Sequence, residues 1–165
     1  MKTVTITLDR GEIMSDVVSA AHVVGRRVSV PGQEEKAADI QTPEEGPDKY
    51  IVARAMAEAL SNAREKCARY LSSGRLTDNN SLEDITGSFV LTLSMPDRWN
   101  FGATTKLTNS IHNHAVSFCL FSIFEKTNPD EAKNYFDKST MELNGIKPIL
   151  ELRTGPVRAS STNLY

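Results

Sequence analysis

This sequence predicts a mainly α protein: a small bundle of about four helices with two short β-strands, a flexible loop near the N-terminus and a flexible C-terminal tail. Three observations predict it. Apolar residues recur at steps of three and four through most of the chain. Only two stretches, 3–8 and 88–95, alternate with period two. The 165 residues are 39% hydrophobic and 24% charged, enough to bury a core and too apolar for wholesale disorder.

The first strand is read from residues 3–8, where threonine alternates with Val4, Ile6 and Leu8. β-Branched side chains at period two suit a pleated, half-buried surface. Asp9 and Glu12 have capping-box spacing, so a helix begins there. Ile13, Met14, Val17, Val18 and Ala21 give it one apolar stripe, expected to fade near Gly25-Arg26-Arg27. Residues 1–30 thus read as a strand–helix arm. Residues 31–48 hold Pro31, Gly32, Pro43, Gly46 and Pro47 among Glu34, Glu35, Asp39, Glu44 and Glu45, with no periodicity. They read as an acidic, flexible loop.

The helical bundle core is placed at 49–152. Asp48 caps a helix expected over 49–72, with Val52, Met56, Ala59, Leu60, Ala63, Cys67, Tyr70 and Leu71 as its stripe and Gly74 at its C-terminal cap. Phe89, Leu91, Leu93 and Met95 mark the second strand, which Pro96 ends. Two strands alone are marginal in water. They either pair with each other or lend an edge to a neighbouring subunit, which makes Val4, Ile6 and Leu8 candidate interaction residues.

The third helix starts within 98–104 and runs to about Lys126. Ala115, Val116, Phe118, Cys119, Leu120, Phe121, Ile123 and Phe124 make it apolar on nearly every side, and such a helix must be buried by its own chain or by neighbours. Asn128-Pro129-Asp130-Glu131 is a strong start signal for the fourth helix: an N-cap, proline at the first helical position and acid in the first turn. Asn144-Gly145 is read as its stop, with Pro148 just beyond. The short link makes these two helices an antiparallel hairpin. Residues 153–165, with Gly155, Pro156 and several serines and threonines, read as a flexible tail.

Little in the chain speaks of a reaction. His112 and His114 lie two apart, which on a regular helix points them about 200° from each other and prevents both from holding one ion. There is no H-E-x-x-H, paired C-x-x-C, phosphate-binding glycine loop or nucleophile elbow. Cys67 and Cys119 fall in apolar helical patterns and read as buried free thiols, which fits a reducing compartment. No catalytic residue, metal or cofactor is expected. The net charge of -2 argues against a strongly electrostatic nucleic-acid binder. No secretory leader is read at Met1–Val4, and the apolar run around Phe118 is too short to span a bilayer, so no membrane partner is expected. Trp99 and Phe101 flank Asn100 before the third helix; they read first as a lid over the helix ends and second as an aromatic anchor for a partner. Arg153 and Arg158 in the tail are candidates for an acidic partner surface.

Tyr50 through Leu152 carries an order of pieces that resembles the head-tail connector (adaptor) proteins of tailed bacteriophages and prophages, Mu-like elements included. A long amphipathic helix ends in Ala68-Arg69-Tyr70-Leu71. An apolar helix, Leu107 through Phe124, follows. Tyr135-Phe136 then introduces a helix closing at Leu143-Asn144-Gly145, with Ile149-Leu150 after it. The segments before residue 48 and the strand at 88–95 depart from the compact members. The resemblance implies a non-enzymatic structural subunit in the virion or host bacterial cytoplasm. Its partners would be copies of itself in a ring and the portal and tail proteins. A DNA-binding or regulatory module of a mobile element, using Arg26, Arg27, Arg153 and Arg158, and a helical enzyme with a pocket between helices stand as alternatives.

Overall fold

The computed structural model describes residues 1–28, 48–72 and 87–155. Among these residues the elements run β1 (Lys2–Asp9), α1 (Arg10–Val28), α2 (Asp48–Lys66), β2 (Ser88–Met95), α3 (Thr104–Phe124) and α4 (Pro129–Glu151). The protein is mainly helical, with one two-stranded antiparallel sheet. The acidic stretch at 31–47, Gly74 and the tail beyond residue 155 lie outside the described residues.

The sheet follows from the alternation in both strands. Val4 pairs with Leu93, Ile6 with Leu91 and Leu8 with Phe89. All six side chains are buried, while the intervening Thr3, Thr5 and Thr7 are exposed. A slip of one residue would turn every one of these apolar side chains to water, so the pattern itself fixes the register. The strands pair within the chain. The Asp9 carboxylate then accepts a hydrogen bond from the Gly11 amide at 2.8 Å, capping α1 at the strand's end. Ile13, Met14, Val17, Ala21 and Val24 bury the inner stripe of that helix.

The strand and helix before residue 28 are no separate arm. Their buried residues share one continuous core with α2, β2, α3 and α4. α3 packs against α1, α2, α4 and β1. From His114 to Phe124 every residue of α3 is buried or half-buried, in keeping with its all-round apolar character.

Two helix ends differ from expectation. α2 stops at Lys66 rather than near residue 72. Cys67 is fully buried, the chain tightens into a 3-10 turn over Ala68–Tyr70, and Leu71 turns extended. Leu71 bridges Leu93, and the Ser72 amide donates to the Thr92 carbonyl at 3.1 Å. Backbone pairing with β2 thus takes over from the helix. In the other direction, α4 ignores Asn144-Gly145 and continues through Pro148 to Glu151. Proline inside a helix costs about 3 kcal/mol. Burial of Ile146, Ile149 and Leu150 beyond the expected stop stabilises by about 1.5–3 kcal/mol per side chain, so packing wins.

The hairpin's near end matches its local signals. Asn128 caps α4, its side-chain oxygen accepting from the Glu131 amide at 3.4 Å, with Pro129 in the first turn. At the far end the chain is stitched shut: the Asn100 amide donates to the Leu152 carbonyl at 3.1 Å, and the Thr154 amide to the Arg98 carbonyl at 2.8 Å.

Candidate functional site

The side chains of α3 that could carry chemistry are each taken up by structural contacts. His114 is 1% exposed. Its Nδ1 lies 2.8 Å from the Ser139 hydroxyl and 3.0 Å from the Ser139 carbonyl, both on α4. Nε2 makes no hydrogen bond of ordinary geometry among the described residues, and the Ala59 backbone of α2 is at most a weak acceptor for the ring. Burial holds the imidazole below the usual histidine range; the Ser139 and Ala59 backbone groups and the Glu142 carboxylate pull the other way and are outweighed. Phe118, one turn on, sets its ring 6.0 Å from the imidazole.

His112 points elsewhere, as the two-residue spacing requires. Its Nε2 meets the Asp16 carboxylate of α1 at 2.7 Å, a contact that is a full ion pair only when the ring is protonated. Asp16 is 61% exposed, so the pair contributes little to stability. Burial pushes the thiols of Cys67 and Cys119 up to about 12, which keeps them protonated and poor nucleophiles at neutral pH. The Cys119 sulfur approaches the Val52 carbonyl at 3.8 Å, joining α3 to the start of α2. Among the described residues no group of histidine, cysteine and acidic side chains is arranged to hold a metal, and no helix is long and apolar enough to cross a membrane.

The interaction candidates read from the sequence separate into inside and outside. Val4, Ile6 and Leu8 lie in the core beneath the sheet and offer no side-chain surface to a partner. Trp99 is also fully buried; its indole Nε1 donates to the Ile149 carbonyl at 3.0 Å, so it bolts the end of α4 to the entry of α3. Phe101 is half-buried, packed edge-on to Trp99 at 5.3 Å, with the Lys2 ammonium over its ring at 5.0 Å. Their geometry is that of a lid over the helix ends. The Arg153 guanidinium donates to the carbonyls of Leu150 and Leu152 at 3.0 and 3.2 Å, which serves the C-terminus of α4. Arg158 lies outside the described residues.

A different apolar surface emerges on the hairpin. Phe118, Phe121 and Phe136 form a row, with ring centroids 5.9 and 5.1 Å apart, that climbs from half-buried on α3 to exposed on α4. Phe136 is 45% exposed. The sequence shows these residues but not their row, because Phe121 and Phe136 belong to different helices whose register only the hairpin fixes. Comparison with protein-family models, with curated proteins and with solved structures gave no match to this chain.

Proposed function

We propose that the chain is a non-enzymatic structural subunit of a tailed bacteriophage or prophage, a head-tail connector that assembles with copies of itself into a ring on the portal. The observation that carries this reading is the use of α3. Its histidines and cysteine, the side chains best suited to catalysis or metal binding, are engaged in joining α1, α2 and α4 to it. A helix of this kind is a post on which other elements stand, as the resemblance to the connector hairpin implies. The row from Phe118 to Phe136 supports the reading, since aromatic side chains at a surface favour contact with another protein. A ring requires one patch of the subunit to meet a different patch on the next copy, and assembly on a portal template leaves the isolated chain free to be monomeric.

The test is quantitative mass spectrometry of tailed particles purified from the organism that encodes the chain. The expected result is the chain in particles, in a fixed ratio to the portal protein. Particles that lack it, while the soluble cell fraction contains it, would refute the assignment.

A further inference from the structure

We propose that His114 is an acid-sensitive joint of the bundle, whose protonation loosens α2 and α4 from α3. The geometry carries the idea. The ring sits where three helices meet, on α3, with Ser139 of α4 on one nitrogen and the Ala59 backbone of α2 as the weak acceptor beside it. A neutral imidazole has one N–H and one lone pair. Nδ1 therefore either accepts from the Ser139 hydroxyl or donates towards the Ser139 oxygens, and in both cases the ring is held without charge. A proton added to Nδ1, where that nitrogen is the acceptor, takes from the Ser139 hydroxyl its acceptor; where Nδ1 already donates, the proton goes to Nε2. In either case the ring becomes a charged double donor whose buried Nε2 has no hydrogen-bond partner of ordinary geometry among the described residues.

The surroundings do little to neutralise the new charge. From α4 the Glu142 carboxylate attracts it, from α2 only backbone acts on it, and on α3 itself the neighbour is the Phe118 ring. Burial outweighs these attractions, so the closed bundle binds this proton less readily than an opened one. The contribution of the joint to stability is fully present above the ordinary histidine range, about 6.5, and falls as the pH drops through and below it. Acidification thus loosens the packing of α2 and α4 on α3.

The experiment follows the whole chain by NMR and hydrogen exchange from about pH 7.5 to about pH 5. Imidazole nitrogen shifts report the charge on His114, and exchange of α4 amides, corrected for the intrinsic effect of pH, reports loosening. The expected result is that both change together, at a midpoint below that of an unstructured histidine. In His114→Gln the acid-induced acceleration in α4 disappears, while α1 behaves as in the parent. Should His114→Gln fail to fold, the wild-type titration alone decides. A His114 that becomes charged with no change in α4 exchange overturns the proposal, as does an acceleration that persists in a folded His114→Gln.

Discussion

α3 and α4 form one hairpin and are nearly equal in length, yet they are built on opposite plans. α3 packs against four other elements, and from His114 to its end it has no exposed residue. α4 buries one stripe, Ala132, Ser139, Ile146, Ile149 and Leu150, and leaves Met141 65% exposed on its outer side. α3 has no side-chain cap and no charge at either end to favour its dipole. α4 has an asparagine cap, a proline in the first turn and two acidic residues there. A helix held by packing on every side can do without terminal signals, whereas a helix held along one stripe gains from them. The contrast also tells where substitutions should hurt.

The largest effect is expected where the two plans meet. Trp99→Ala removes a fully buried indole and its bond to Ile149, at a cost of about 3–5 kcal/mol in chemical denaturation. Next, Leu120→Ala on α3 should cost about 2–5 kcal/mol, while Met141→Ala on the outside of α4 should change stability by no more than about 0.5 kcal/mol. Equal effects at these two positions would erase the distinction between the helices. Pro148→Ala should stabilise by about 1–3 kcal/mol, because the new amide can donate to the Asn144 carbonyl four residues back and Pro148 is exposed. A loss of stability there would show that the proline shapes the helix. The smallest loss expected to be clearly measurable is at the cap: Asn128→Ala should cost about 0.5–2 kcal/mol, read from the shift in denaturation midpoint.

The same contrast explains what could be read in the sequence. Val4, Ile6 and Leu8 against Phe89, Leu91 and Leu93 were legible because each strand carries its own period, and the start of α4 was legible because Asn128-Pro129 acts within one turn. The end of α4 was not. Asn144-Gly145 is a genuine local stop signal, and what overrides it is the fit of Ile146, Ile149 and Leu150 into a core assembled from distant segments. The end of α2 failed for a similar reason: Leu71 belongs to the helical stripe by spacing but is drawn to Leu93 by the strand. At the candidate site, the opposed directions of His112 and His114 followed from helical geometry. Their partners did not, because Asp16 and Ser139 lie 96 and 25 residues away in sequence. Trp99 was placed as a lid; its bond to the Ile149 carbonyl needed the extension of α4 past its apparent stop.

The central claim is that α3 is the post around which this chain folds. Native-state hydrogen exchange measures it directly. Amides of residues 114–124 should exchange only through global unfolding, with a free energy equal to that from denaturant melts, while the outer helices open earlier. Exchange of residues 114–124 before α1 and α4, at a free energy well below the global value, would contradict the account.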